Sequence, residues 1–197
     1  MGPAVKLSVL LPTRNRADYL RYAARTVLEQ DDPDLELVIS DNASEDETAE
    51  VCRALDDPRV RYVRTDRPLP VSENWQNALE HASGDYVIML GDDDALLRGY
   101  CRITRSIIER FERPELIYHG GYQFAYPGVL PDAPDGHLVG PHRYAIFGDS
   151  TGPVRLDARL AREQVQASLR FRMQIGYNMQ YSTISRELIE RLRPHGP

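Results

Sequence analysis

Over the first 125 residues, β-rich runs alternate with amphipathic helical patterns, and the connections between them are short. The runs KLSVLLP (6–12), LELVISDN (35–42), RVRYVRT (59–65), DYVIML (85–90) and ELIYHGGYQF (115–124) read as strands. Between the first two lies ADYLRYAARTVLEQ (17–30), which sets Leu20, Ala23, Ala24, Val27 and Leu28 on one helical face. Ser44 and Glu47 have capping-box spacing, which predicts a helix beginning at 45 in EDETAEVCRAL. VSENWQNALEHAS (71–83) turns Trp75, Ala78, Leu79 and Ala82 inward, and YCRITRSIIERF (100–111) is a further amphipathic helix. Such alternation predicts an α/β chain with a mostly parallel sheet flanked by helices on both faces. Ligands of such sheets bind at the carboxyl ends of the strands. Thr13–Arg16, Asp41–Asn42, Thr65–Arg67 and Gly91–Asp94 occupy those ends, and most of them carry polar, ligand-capable groups.

The remainder reads differently. Residues 126–156 are rich in Pro and Gly and predict an irregular loop. LDARLAREQVQASLRFRM (156–173) is helical in pattern, YNMQYSTIS (177–185) predicts a strand, and RELIERL a last short helix. The expected organisation is a ligand-binding core over 1–125, with 126–197 as a further region of the same domain, which the family resemblance given below makes its acceptor side. The net charge of −6 argues against a general nucleic-acid surface, and Lys6 is the sole lysine. Cys52 and Cys101 lie in helical segments without metal-ligand spacing, which predicts a reduced, cytoplasmic protein. No apolar run approaches bilayer length, a reading that leaves peripheral association with the inner membrane face open. Oligomeric state is not legible from these patterns.

Asp92, Asp93 and Asp94 follow the buried run DYVIML directly. Three ionised carboxylates there repel one another unless something positive compensates them. Mg²⁺ or Mn²⁺ does so with one or two carboxylates, completing its shell with water and phosphate oxygens. The plainer alternative has Asp94 capping a turn that begins at Ala95, with Asp93 favouring the same dipole. Asp41 reads first as a turn residue, with Asn42 forming an Asx turn, while its place beside the end of the first strand also suits an acceptor for a nucleobase N–H. Asn15 reads as the cap of the first helix and Asp18 as a first-turn acid. Arg14 and Arg16, beside the same helix start, suit an anionic or planar ligand or a solvated face.

LSVLLPTRNRADYLRYAARTVLEQ, LELVISDNASEDET and ASGDYVIMLGDDDAL together resemble the characteristic blocks of family 2 glycosyltransferases, in the right order, over residues 5 to 125. The resemblance implies the Rossmann-like GT-A fold. It also implies transfer of a sugar, with inversion, from a nucleoside diphosphate sugar to a glycan or lipid-linked acceptor, as in bacterial surface-polysaccharide synthesis. It assigns Pro12, Thr13 and Asn15 to cradling the nucleoside, Asp41 to the pyrimidine (hence UDP or dTDP), Asp92 to the ribose and Asp93 to the metal, with Asp94 as a further metal candidate. Arg14, Arg16 and Asn42 complete the expected nucleotide-sugar surface. The family's Asp-x-Asp motif has Gly91 in place of its first acid, a form similar to that of deoxyhexose transferases. The Arg-Asn pair of many relatives is absent from ENWQNALEHASGDYV, where Asn74 and Asn77 are polar candidates or merely solvated. An inverting enzyme needs a base for the acceptor hydroxyl. The family's Glu-Asp pair is missing after residue 125, so Asp149 in FGDS is the candidate that remains, though turn chemistry also accounts for it, while Asp157 reads as a helix start. On the family pattern, the stretch STISRELIERLRPHGP stops before the base is reached. His119 in YHGGYQF lies on the expected acceptor side, or is structural. Two rivals stand beside this reading: a nucleotidyltransferase, disfavoured by the glycine-free PTRNR, and a nucleotide-sugar-binding domain without turnover.

Overall fold

The computed structural model describes residues 5–140, 152–169 and 182–193. They fall into two compact units, Met1–Ile117 with Ser182–Pro197, and Tyr118–Tyr181. The first unit carries the alternation read from the sequence. Strands β1 (Leu7–Thr13), β2 (Leu35–Asp41), β3 (Val60–Arg64) and β4 (Tyr86–Met89) are separated by helices α1 (Ala17–Leu28), α2 (Thr48–Arg53) and α3 (Val71–Glu80). Helix α4 (Tyr100–Arg110) leads into β5 (Leu116–Tyr118). The sheet order is β3-β2-β1-β4-β8-β5, where β8 is Ser182–Ser185 and runs into helix α6 (Arg186–Leu192). β3, β2, β1 and β4 are parallel, whereas β8 pairs with β4 in antiparallel sense.

β1 is buried along its whole length because both faces of the sheet are covered. Leu7, Val9 and Leu11 point to one side, where Leu20, Ala23, Ala24 and Val27 of α1, Cys52 of α2, and Cys101 and Ile108 of α4 pack on them. Leu10, Val38 and Val87 face the other side, against Ala78, Trp75 and Leu79 of α3 and Ile189 of α6. The period-2 strand pattern and the period-3.6 helix pattern thus meet in two apolar layers. Each fully buried Leu contributes about 1.5–3 kcal/mol.

The second unit departs from expectation. The strand expected over 115–124 is broken, and only β5 joins the main sheet. Residues Gln123–Ala125 form β6, which pairs in antiparallel sense with β7 (His137–Val139) inside the stretch read as irregular. Gly136 sits at φ 87°, a left-handed conformation, and a Cβ there would meet the Phe124 ring at 2.6 Å. Helix α5 spans Ala158–Leu169, and Asp157 Oδ1 accepts the Leu160 N–H at 2.8 Å, so Asp157 does start a helix. The expected strand residues 177–181 lie outside the described residues.

Long-range polar contacts lock the elements together. Arg59 donates to the carbonyls of Leu28 and Gln30, at 2.6 and 2.9 Å, satisfying the C-terminal end of α1. Arg105 pairs with Asp32 and donates to the Val5 carbonyl, tying α4 to the edge where β1 and β2 begin. At that edge Glu36, only 8% exposed, accepts from Ser8 Oγ, the Ser83 N–H and the Lys6 ammonium. Burial pushes the Glu36 carboxyl up, but the Lys6 contact and the Ser8 and Ser83 hydrogen bonds outweigh it and hold it at about 2. A depressed acid stabilises the fold above its unfolded pKa and loses that contribution as pH falls through the folded one. Stability attributable to Glu36 should therefore be complete above pH 4.5 and disappear towards pH 2. Glu36→Gln should remove about 3 kcal/mol at neutral pH and flatten the acid limb of the stability curve over that window, as read by urea unfolding.

Candidate functional site

The strand register creates the site. Thr13 of β1 lies opposite Asp41 of β2, and Asp41 lies opposite Arg64 of β3. On the other side of β1, Leu90 N–H donates to Leu10 C=O, which ends β4 beside β1 and starts the aspartate loop there. That loop is anchored from behind, because Leu96 N–H donates to Thr26 Oγ1 and Gln30 Nε2 donates to Leu97 C=O, both from the α1 side.

The expected cluster does come together at this edge. Asp92 is 9% exposed and accepts from Thr13 Oγ1 at 2.8 Å through Oδ2 and from Arg16 Nη1 at 3.2 Å through Oδ1. The same Arg16 nitrogen lies 2.8 Å from Asp93 Oδ2. The guanidinium rests on Tyr19, 5.8 Å from its ring centroid. Burial raises the Asp92 carboxyl above its ordinary range, against the pull of Thr13 and Arg16, and Asp93 adds to the rise. Arg16 is held protonated by its hydrogen bond to Asp93 and by the charge of Asp92. In the protein alone, Arg16 supplies positive charge to the first two of the three consecutive carboxylates.

Asp94 behaves differently from the capping expectation. No helix begins at Ala95, since α4 starts at Tyr100, so Asp94 caps nothing there. Its Oδ2 instead turns back to the Gly91 N–H at 3.3 Å, closing its own turn. Among the described residues, no group of three or more His, Cys, Asp or Glu side chains could hold a metal by itself. The donor set nevertheless fits a hard cation that brings its own phosphate oxygens: Asp93 reaches solvent at the sheet edge, and Asp92 and Asp93 already share one cation, the Arg16 guanidinium.

On the β2 side, Asp41 is fully buried and both carboxylate oxygens have protein partners. Oδ1 accepts the Ser44 N–H at 2.8 Å, and Oδ2 accepts the Tyr62 hydroxyl at 2.7 Å with Arg64 at 3.7 Å. Burial and the bond to Asp41 push the Tyr62 phenol up to about 12, so it stays a donor. The turn reading of Asp41 is what the protein alone displays. Asn42 forms no Asx turn. Its amide clamps Leu69 in both directions, donating to the carbonyl at 2.9 Å and accepting the N–H at 2.7 Å. Pro12 is buried in the sheet opposite Ser40, and Arg14 is exposed without a hydrogen bond or ion pair among the described residues.

The helix caps also differ from their sequence reading, for one shared reason. α2 begins at Thr48, and Ser44 and Glu47 form no capping box. Ser44 Oγ instead accepts the Asn15 N–H at 2.9 Å, while Asn15 Oδ1 accepts the Glu45 N–H at 2.7 Å. Asn15 sits at φ 52°, a left-handed conformation that Asn tolerates, and it clasps the β2–α2 loop rather than capping α1. The α1 N-terminus is capped across the cleft by Asp46, whose Oδ2 accepts the Ala17 N–H at 3.0 Å while Oδ1 accepts the N–H and hydroxyl of Thr48. One carboxylate therefore caps two helices. Asp46, Tyr62 and Arg64 were missed in the sequence, because their partners lie on other strand–helix units. Asn74 and Asn77, read as solvated or as ligand contacts, both bond Ser40 and pin α3 to β2. His119 is half-buried in the second unit, where burial pulls its imidazole down to about 4. Asp149 lies outside the described residues.

The model of the family described as Glycosyl transferase family 2 matches residues 8–173. The chain belongs to that family. Its sequence is similar to the GalNAc(5)-diNAcBac-PP-undecaprenol beta-1,3-glucosyltransferase of Campylobacter jejuni, at 41% identity over 97 residues, covering 48% of this chain and 31% of the relative. Its fold is similar to that of S. aureus TarS, with a TM-score of 0.54 at 19% identity, covering 73% of this chain and 47% of that one. The mannosyltransferase of Pyrobaculum calidifontis is likewise similar, with a TM-score of 0.52 at 23% identity, covering 60% and 36%. The fold is GT-A, as the sequence blocks imply. The chain spans about a third of the length of the curated relatives it matches.

The shared caps give a direct test. Asp46→Ala should cost about 1–2 kcal/mol, because two helix starts lose one acceptor, and Asp46→Asn should recover part of that loss in urea unfolding.

Proposed function

We propose that this family 2 member transfers a sugar, with inversion, from a UDP or dTDP sugar to a glycan or lipid-linked acceptor, with help from Mn²⁺ or Mg²⁺. The observation that carries the reading is the cluster of Thr13, Arg16, Asp92 and Asp93, assembled at the carboxyl edge of β1 and β4. Structural neighbours support it: TarS was solved with UDP and with UDP-GlcNAc, and the mannosyltransferase with GDP-Man and Mn²⁺. The Campylobacter relative is named for a polyprenol-diphosphate-linked acceptor, which favours a lipid-linked acceptor here and work at a membrane face. No helix among the described residues is long and apolar enough to cross a membrane.

In this reading Thr13 fixes one Asp92 oxygen, so the other is presented at a set position to the donor. Pro12, Asn15, Asp41 and Asn42 shape the nucleoside end of the cleft. A base engages Asp41 only where Tyr62 or Arg64 shifts, since the carboxylate has no exposed surface. Asp93, with Asp94 as second candidate, would hold the divalent cation, which neutralises charge on the departing diphosphate. Arg14 and Arg16 add guanidinium groups suited to the same phosphates. The acceptor hydroxyl's proton goes to a carboxylate base, for which Asp149 is the candidate in the sequence.

A thermal-shift screen of UDP, dTDP, GDP and their sugars, with and without Mn²⁺, tests the reading. A pyrimidine diphosphate should stabilise the chain in a Mn²⁺-dependent manner, and Asp93→Ala should abolish the Mn²⁺-dependent part while leaving the unliganded Tm nearly unchanged. Stabilisation indifferent to Mn²⁺ and to Asp93 would exclude a metal role at this position.

A further inference from the structure

We propose that Arg16 is a built-in stand-in for the divalent cation. It occupies the carboxylate pair while the site is empty and yields only when a diphosphate arrives to receive it, so that metal and nucleotide bind as a coupled pair. The inference rests on the reading that Asp93 is a metal ligand. A single nitrogen, Nη1, lies 2.8 Å from Asp93 Oδ2 and 3.2 Å from Asp92 Oδ1. That is the bridging position a cation shared by two carboxylates takes. Asp92 cannot turn away to offer a second approach without breaking its Thr13 bond, which fixes Oδ2 at 2.8 Å.

Arg16 is also placed to leave. Its side chain is 47% exposed, it follows the left-handed Asn15, and it forms the first residue outside α1. Its aliphatic stem lets the guanidinium swing clear of the carboxylates. A guanidinium and a divalent ion on the same carboxylate repel, so Mn²⁺ alone has to displace Arg16 into water with no new partner. A diphosphate changes the balance, because it offers Arg16 two or more anionic oxygens in bidentate geometry. Metal and diphosphate then favour each other by the same factor, as linkage requires.

The test titrates the whole chain with Mn²⁺, following the free ion by electron paramagnetic resonance, with and without UDP. Wild type should bind Mn²⁺ weakly alone and at least roughly ten-fold more tightly with UDP. Arg16→Gln should bind Mn²⁺ alone at least several-fold more tightly than wild type, and UDP should then add less than it adds to wild type, because only its direct phosphate–metal bonds remain. Arg16→Lys, which keeps a charge but not the fork, should fall between them. Circular dichroism melts of both variants confirm that they are folded. Equal or weaker Mn²⁺ binding by Arg16→Gln without UDP, with Asp93→Ala abolishing binding, overturns the role of Arg16 and leaves the metal reading intact. Unchanged Mn²⁺ binding by Asp93→Ala overturns the metal reading, and this inference with it.

Discussion

The parallel pairing of β1 between β2 and β4 is the constraint on which everything else depends. It is a matter of register as much as of packing. Because β1 is buried on both faces, a slip of one residue would turn Leu7, Val9 and Leu11 away from α1 and α4 and bring the Ser8 side onto their layer. The apolar pattern thus fixes the register, and the register fixes which polar residues stand side by side at the carboxyl edge. Thr13 beside Asp41, and the end of β4 beside Leu10, are consequences of how leucines and valines choose their faces. The chemistry at the edge inherits its precision from the core.

Charge at that edge is balanced locally. Asp41 has Tyr62, Arg64 and a backbone N–H; Asp92 has Thr13 and Arg16; Asp46 has two helix N-termini. No one partner suffices. A carboxylate without exposed surface, like Asp41, is tolerated because hydrogen bonds occupy both of its oxygens, leaving no desolvated lone charge. The edge therefore holds its shape in the protein alone, with Thr13 keeping Asp92 in place. Pre-arranged polar groups of this kind lower the cost of ordering on binding.

What the sequence made legible follows from the range of each interaction. The strand–helix alternation, the two apolar layers and the convergence of Thr13, Arg16, Asp92 and Asp93 all rest on local periodicity and chain topology, which a single sequence carries. The caps were misread because Ser44 and Asn15 have the right chemistry for their own helices yet bond to each other's loops. Neither partner is within reach until the register is known. The same applies to Asn42 with Leu69 and to Asn74 and Asn77 with Ser40, where an apparently solvated amide is a staple between units. The pattern of residues 177–185 predicts a strand, but the insertion of β8 between β4 and β5, antiparallel to β4, is set by contacts far apart in the chain, which periodicity does not encode.

One clue was present in the composition. Nearly all basic residues are arginine, and the structure uses their planar forks at positions where an ammonium would serve poorly. Arg59 spans two carbonyls at the end of α1 while gripping Asp57; Arg105 spans both oxygens of Asp32 and the Val5 carbonyl; Arg186 spans the carbonyls of Ala82 and Gly84. Each joins segments far apart in the chain. Arg16 bridges two acceptors as these do, but through one nitrogen and on a solvent-facing edge, where its partners are carboxylates that a ligand can claim. A fork buried among carbonyls is a permanent strut. One exposed between carboxylates is held by charge-assisted hydrogen bonds and the Tyr19 ring, and in the reading proposed above a metal–diphosphate complex takes over those carboxylates.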